Sequence, residues 1–164
     1  MKVLEGPLNI YKKACAEHGQ EPDIVYIRPV YIDEDEKQIR KEVEQALLNF
    51  LAFNASPVES IQTEEKKAEL RAKGYGFYAS GALESLTKLT YDEIVAQEIG
   101  FIGTPEKVAR QVRALEEKGG IGELAIVSNF GGLEHWKSIK IQHMFAKHVI
   151  PAFRRSGTEA RAAD

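Results

Sequence analysis

Residues 103–154 read GTPEKVARQVRALEEKGGIGELAIVSNFGGLEHWKSIKIQHMFAKHVIPAFR, a series that predicts a helix, a strand and a second helix. Thr104 is a candidate N-cap, Pro105 suits the first helical turn, and glycines at 119 and 120 predict the end of that helix. A short apolar strand is predicted over 123–128, and the second helix over 133–150. This order is typical of α/β proteins, in which ligands lie at the carboxyl ends of parallel strands.

Composition places the chain among ordinary globular domains. It has 164 residues, 43% hydrophobic and 29% charged, with a net charge of −3. The small charge gives no reason to expect nucleic acid or an acidic membrane surface as a partner. No apolar run approaches the roughly 18 residues of a membrane span, and the N-terminus lacks a signal-peptide core. The single cysteine, Cys15, excludes an intrachain disulfide and predicts a cytoplasmic location.

Upstream of this series, the chain predicts a helix, a strand and a helix. Apolar residues at helical spacing predict a helix over about 8–17, and residues 23–32 read DIVYIRPVYI, which is typical of a strand buried on both faces. Pro29 suggests a sheet edge or a bulge there. Arg28 needs a partner inside so apolar a strand, either an anionic ligand or, as the preferred reading, a structural Asp or Glu. The acidic run 33–36 is read as the solvated first turn of a helix that extends to about Phe53.

Residues 54–100 differ from a compact strand–helix unit and are predicted to be a long helical insertion. They include a charged helix over 64–73 and a capping-box start at Thr90. Between these lies GYGFYASG at 74–81, a glycine and aromatic segment. It suits either an ordinary packed loop or a loop that closes over a flat ring system.

The loop 128–132, Ser-Asn-Phe-Gly-Gly, follows the predicted strand and precedes a helix. Its backbone amides and the helix N-terminus behind them could hold a phosphate, although a tight strand-to-helix turn explains the same residues. The four histidines, at 18, 135, 143 and 148, have no metal-pair spacing, so no metal site is predicted. No catalytic triad can be assigned either.

Taken in order, these segments resemble the bacterial luciferase-like flavin-dependent monooxygenases. The resemblance is carried by the following: YKKACAEHG at 11–19 with DIVYIRPVYI at 23–32, GYGFYASGAL at 74–83, GTPEKVARQV at 103–112, GELAIV at 122–127 and HVIPAFR at 148–154. The ordered series carries it rather than any single motif. It implies a (β/α)₈ barrel that oxidises an organic substrate with molecular oxygen and reduced flavin mononucleotide (FMN), often supplied by a separate flavin reductase.

The resemblance is to the C-terminal part of that barrel only. We therefore expect an α/β fold that is helix-rich and partially TIM-barrel-like, with two parallel strands, at 24–32 and 123–128, and the insertion between them. Residues 1–153 are predicted to form a single domain and 154–164 a disordered tail. Nothing corresponds to the barrel strands that carry the family's usual catalytic histidine, so the catalytic residues stay unassigned.

A barrel of this kind needs roughly 200 residues or more, and two strands leave open edges and apolar faces. We therefore expect a homo-oligomer, preferably a homodimer, or a complementary chain that supplies the N-terminal barrel, or a reduced α/β layer. A catalytically inactive barrel end that acts as a binding or assembly module is the alternative function. If the chain binds flavin, we predict that the cofactor contacts Tyr78, Ser80 and Gly81 in the aromatic segment. The remaining predicted flavin contacts lie in the loop after the last strand: Ser128, Asn129, Gly131 and Gly132.

Overall fold

A computed structural model describes residues 2–56, 61, 63–117 and 122–153. Three elements form the first part of the fold: helix α1 (Lys2–Glu17) leads into strand β1 (Val25–Ile32), which is followed by helix α2 (Glu36–Ala55). Asp35 caps α2 by accepting a hydrogen bond from the Lys37 amide at 3.0 Å. The acidic run leads into this helix, as predicted, and Glu34, Asp35 and Glu36 are exposed. The prediction of a solvated turn is wrong at Asp33, which precedes the helix and is buried.

Four short helical segments lie in the described part of the insertion. They are α3 (Glu64–Ala72), a 3₁₀ turn (Tyr78–Ser80), α4 (Ala82–Leu86) and α5 (Tyr91–Ala96). Thr90 and Glu93 form the predicted capping box at the start of α5. None of the helices in the described ranges is long and apolar enough to cross a membrane.

The last part of the fold alternates strands and helices. Strand β2 (Phe101–Gly103) precedes α6 (Pro105–Glu117), and β3 (Glu123–Val127) precedes α7 (His135–Met144). Thr104 accepts a hydrogen bond from the Lys107 amide at 3.4 Å, as its N-cap assignment predicts. The second predicted helix does not stay α-helical to residue 150, because a π-helical turn (Phe145–Val149) and a 3₁₀ turn (Ile150–Phe153) follow α7. The predicted helix end at 119–120 and the predicted tail at 154–164 lie outside the described residues.

The α/β class is confirmed: the sheet is parallel and small, and helices α2, α6 and α7 pack against it. It has three strands in the order β2-β1-β3, so the prediction of two strands was wrong. The three residues of β2 are too few to show a strand pattern in the sequence. Residues 25–29 of β1 pair with 123–127 of β3, whereas residues 30–32 pair with 101–103 of β2. Consecutive strands are neighbours in a barrel, so the pairing of β3 with β1 is a local departure from barrel order.

β1 is the central strand, so of the two alternatives that Pro29 suggested, a sheet edge or a bulge, the edge is wrong. The strand tolerates proline there because Pro29 is the last residue of the β3 ladder and precedes the first residue of the β2 ladder. The prediction of burial on both faces holds only for the second half of β1. Val30 and Ile32 are fully buried, whereas Val25 and Ile27 are more than half exposed.

The core lies where α2, α6 and α7 pack against the sheet. Helix α2 contributes a continuous apolar stripe at helical spacing, and the strands contribute the carboxyl-terminal half of β1 together with β2. The fully buried core side chains include Val30, Ile32, Val43, Leu47, Ile94, Val108 and Val149. This packing holds the carboxyl ends of β1 and β3 beneath α7.

Candidate functional site

Polar side chains gather where β1 and β3 end. Asp33 follows the last residue of β1, and Ser128 follows the last residue of β3. Because the two strands are parallel neighbours, both residues lie at the same end of the sheet, where the strands have their carboxyl ends. Helix α7 crosses this end, which we call the strand edge. In open α/β sheets this edge is where ligands bind.

Ser128 belongs to a trio with Ser138 and Gln142 that fastens α7 to the end of β3. Its hydroxyl lies 3.2 Å from that of Ser138 and accepts a hydrogen bond of 2.9 Å from the Gln142 amide. Both serines are buried, so these bonds satisfy polar groups that water would otherwise have to reach. The trio therefore explains the polar residues on the inner side of α7 as structural.

A charged layer lies beside this trio. Lys140 on α7 forms a short ion pair with Asp33, whose other carboxylate oxygen accepts a 3.0 Å hydrogen bond from the Asp35 amide. Tyr31 donates a short hydrogen bond to Glu42 on α2, and Lys137 lies 3.8 Å from the same carboxylate. Burial is the largest cause of the raised pKa of Tyr31, and the hydrogen bond to the Glu42 carboxylate is the second. The phenol therefore remains a hydrogen-bond donor at neutral pH. Acids and bases in this layer are thus matched across α2, α7 and β1.

The Asp33–Lys140 pair predicts a pH-dependent stability. Burial alone would raise the pKa of Asp33, but the hydrogen bonds from Lys140 and from the Asp35 amide hold that pKa below its ordinary value. Because the folded-state pKa is the lower one, the ionised carboxylate stabilises the fold at pH values above the unfolded-state pKa of about 3.9. This stabilisation is lost as the pH falls through the folded-state pKa. We expect Asp33→Asn to lower the free energy of unfolding at pH 7 by about 1.5 kcal/mol.

The difference between wild type and Asp33→Asn should shrink as the pH is lowered below about 4, which urea titrations at several pH values measure. Glu34→Gln is the matched control, because Glu34 is exposed and next in sequence. Its effect should stay small at every pH. A difference for Asp33→Asn that is as large at pH 3 as at pH 7 would contradict the role given to the carboxylate.

The loop 128–132 is pressed against α2. A side chain at Gly131 would overlap the carbonyl oxygen of Ala46, and Asn49 donates a 3.1 Å hydrogen bond to the Gly131 carbonyl. Phe130 is buried and meets Phe50 edge to face at 5.7 Å between ring centroids. Gly131 therefore serves close packing, whereas Asn129 and Gly132 remain exposed at the mouth of β3.

The aromatic segment is attached to α3. Arg71 donates a hydrogen bond of 3.5 Å to the Ala79 carbonyl, and the exposed Tyr78 ring contacts those of Phe77 and Tyr75 at 5.7 and 6.5 Å. The Ser80 hydroxyl donates to the Phe77 carbonyl at 2.6 Å and accepts from the Ala82 amide at 3.2 Å. Gly81 has a φ of 76° and joins the 3₁₀ turn to α4. Ser80 and Gly81 thus shape the turn, and Tyr78 presents a ring to solvent.

The structure does not bring the two groups of predicted flavin contacts together. Within the described ranges, no hydrogen bond or ring contact joins 128–132 to 74–81, and each segment is fastened to a different helix. Both lysines at the strand edge are already paired with carboxylates, so neither is free for a phosphate. The described residues therefore do not by themselves enclose a flavin, and no reaction step follows from them. The flavin contacts stay a prediction.

Sequence reasoning missed the residues that do converge at this edge: Tyr31, Asp33, Glu42, Ser138, Lys140 and Gln142. Lys137 and Lys140 are three residues apart in the helix that follows the strand, so they share one helix face. That spacing was the signal in the sequence that both lysines could reach carboxylates on one side of α7, which are Asp33 after β1 and Glu42 on α2. The long-range partners themselves, such as Asp33, could not be identified without the fold.

Arg28 lacks the carboxylate partner that its place in the strand predicted. Its guanidinium lies over the Tyr26 ring at 3.8 Å and donates to the Ile27 carbonyl at 2.9 Å and to the Tyr26 hydroxyl. No ion pair involving Arg28 occurs in the described part of the chain, and its Nε atom is buried without a hydrogen-bond partner. Burial lowers the pKa of this guanidinium. Stacking on Tyr26 thus replaces the ion pair.

Comparison with known proteins identifies the family. The profile of the luciferase-like monooxygenases matches residues 4–121, which includes β1, the insertion, β2 and α6 but not β3 or α7. The crystal structure of the monooxygenase RslO1 from Streptomyces bottropensis is similar, with a TM-score of 0.58 and 21% sequence identity. That match covers 89% of this chain and 36% of RslO1, and no curated protein sequence matches. The chain belongs to the luciferase-like monooxygenase family and has the fold of part of such an enzyme.

Proposed function

We propose that this chain forms part of a monooxygenase that oxidises an organic substrate with reduced FMN and molecular oxygen. The family match over residues 4–121 is the observation that carries the proposal. The chain spans little more than a third of the length of RslO1. Because β1 leaves Val25 and Ile27 exposed, we propose that this surface packs against a further polypeptide. That polypeptide is either a second copy of the chain or a complementary chain that supplies the N-terminal barrel.

The strand edge supports this proposal by its position. Asn129 and Gly132 are exposed next to the carboxyl end of β3, where ligands bind in this class of fold. Together with Ser128 and Gly131 they would form one wall of a flavin site, and Tyr78, Ser80 and Gly81 would lie on a segment that closes from the other side. Bound reduced FMN would supply the electrons for oxygen activation. This chain would contribute contacts and an exposed aromatic ring.

We further propose a cytoplasmic setting, from the single cysteine, and a separate flavin reductase as the source of reduced FMN. Both follow from composition and family rather than from a contact in the fold. Reconstitution with a flavin reductase and NADH would test the second of them once flavin binding is established.

The second candidate function is a binding or assembly module without catalysis. One observation favours it: Val25 and Ile27, on the central strand, are 51% and 58% exposed. A strand that leaves apolar side chains open to solvent is more typical of an interface than of a finished core. In that case the polar strand edge would be purely structural.

Titration of the purified chain with FMN, followed by flavin fluorescence, distinguishes the two functions. Flavin binding predicts saturable quenching, and Tyr78→Ala should weaken it about fivefold through loss of a ring contact. Phe53→Ala is the control, because Phe53 is also an exposed aromatic residue but lies near the end of α2. The absence of quenching up to about 100 µM FMN, in the chain alone, would favour the module.

A further inference from the structure

A cleft of about 450 Å³ lies between the end of α5 and one side of α6. The α6 wall carries two basic side chains and an amide, from Lys107, Arg110 and Gln111. The end of α5 contributes an acidic side chain, Glu98. None of these four residues belongs to the strand edge, so the cleft is a separate place in the fold.

Gln111 gives the clearest sign of a missing ligand. It is only 7% exposed, and its Oε1 atom is buried without a hydrogen-bond partner in the described part of the chain. Buried amide oxygens are normally hydrogen-bonded, because an unpaired one has lost the bond that water would have made. The terminal amide of glutamine rotates readily, so a donor that enters the cleft can reach Oε1. The cleft therefore has an open position for an N–H group.

Two cations line the same wall without counter-ions. Lys107 and Arg110 are three residues apart and so are neighbours on the helix surface. Neither forms an ion pair with another described residue. The Lys107 stem lies over Gly103, where an added Cβ would be 2.5 Å from the Lys107 Cδ atom. An ammonium and a guanidinium placed side by side favour an anion, and a carboxylate matches both.

Glu98 supplies the opposite charge at a position where glutamate is unfavourable. Helix α5 ends in a Schellman motif, in which the Ile99 amide donates to the Ile94 carbonyl and the Glu98 amide donates to the Val95 carbonyl. Glu98 has a left-handed φ of 55°, in the place that glycine or asparagine usually takes. Its half-buried side chain has no ion pair within the described ranges. A carboxylate held against the backbone preference indicates a use for its charge.

We propose that this cleft binds a small zwitterion with the chemistry of a free α-amino acid. The ligand carboxylate pairs with Lys107 and Arg110. The ligand ammonium group pairs with Glu98 and donates a hydrogen bond to the Oε1 atom of Gln111. One ligand then satisfies all the unpaired groups in the cleft, whereas a simple anion would leave the Glu98 carboxylate without a partner.

The rest of the cleft limits the side chain of the ligand. Its other lining residues are Val95, Ala96 and Ala114, which are small and apolar. This lining favours an aliphatic side chain such as that of leucine. The inference uses none of the residues proposed to contact flavin, so a failure of either ligand titration leaves the other proposal intact.

An NMR titration of the full, isotope-labelled chain with L-leucine tests the site through the backbone amides of α5 and α6. We expect saturable shifts with a dissociation constant of about 100 µM. N-acetyl-L-leucine lacks the ammonium group and L-leucinamide lacks the carboxylate, so each should bind about tenfold more weakly.

Two variants assign the charges. Glu98→Gln should weaken L-leucine about tenfold but should not weaken N-acetyl-L-leucine, which has no ammonium group to lose a partner. Lys107→Gln should weaken L-leucine and leave L-leucinamide unchanged for the matching reason. Glu65→Gln and Lys66→Gln make the same charge changes at exposed positions on α3 and should leave every affinity unchanged.

Gln111→Leu separates ligand binding from a structural role. Replacing an unsatisfied buried amide by an apolar side chain of similar size leaves a fold as stable or more stable. We expect an unchanged or higher urea midpoint together with about fivefold weaker binding of L-leucine. The proposal is overturned if about 10 mM L-leucine shifts no amide of α5 or α6. It is equally overturned if N-acetyl-L-leucine binds as tightly as L-leucine, or if Gln111→Leu keeps the full affinity.

Discussion

Replacing Gly131 by alanine is expected to lower the free energy of unfolding by about 3 kcal/mol. The added Cβ would overlap the Ala46 carbonyl oxygen and lie 2.5 and 2.8 Å from the Ala46 carbonyl carbon and Cα. These are backbone atoms inside α2, so they cannot move aside as the end of a flexible side chain would. A φ of 58° adds backbone strain to the overlap. Urea denaturation followed by circular dichroism measures the change.

Gly132 is the matched control for this prediction. Its φ of 87° is also in the left-handed region, but no atom lies within 4 Å of the position of an added Cβ. Gly132→Ala should therefore show only the backbone strain, about 1 kcal/mol. Equal losses in the two variants would show that the close approach of Gly131 to α2 contributes nothing.

Leu47→Ala is expected to cost about 3 kcal/mol, because it removes a fully buried side chain and leaves a cavity beneath α2. Leu47 belongs to the apolar stripe of α2, together with Ile39, Val43 and Leu51. Phe53→Ala on the same helix removes a larger side chain that is exposed, and should change the free energy of unfolding by about 0.5 kcal/mol or less.

The same urea titration compares Leu47→Ala with Phe53→Ala, and the slope of the unfolding free energy against urea should stay constant. A loss for Leu47→Ala no larger than for Phe53→Ala would mean that α2 does not pack on the sheet as described. The comparison also distinguishes a buried apolar residue from an exposed one on the same helix. Leu47 stabilises the domain, whereas Phe53 is left at the surface.

Local signals in the sequence predicted several helix starts and the buried face of α2. The capping box at Thr90, the N-cap at Thr104 and the stripe through Leu47 each depend on residues within a few positions of one another. The same is true of the strand that ends at Ile32 and of the strand over 123–127. Such features are visible in a single sequence because backbone hydrogen bonding and helical periodicity are local.

The pairing of strands and the partners of charged residues were not visible. Pro29 suggested an edge or a bulge, yet β1 is central, and its two ladders meet at that residue. Arg28 suggested a carboxylate and is instead stacked on Tyr26. The ion pair between Asp33 and Lys140 joins residues 107 positions apart. No local pattern contains that information.

The sequence by itself therefore determined the order of helices and strands, the α/β class and the membership of the luciferase-like monooxygenases, since these follow from local periodicity and from motifs in series. Only the tertiary structure decided that β3 lies against β1, that α7 closes the strand edge with Ser128 and Asp33, and that Val25 and Ile27 stay open. These depend on which surfaces meet once the chain has folded. Burial and ion pairing are properties of neighbours in space, and many of those neighbours are distant in sequence.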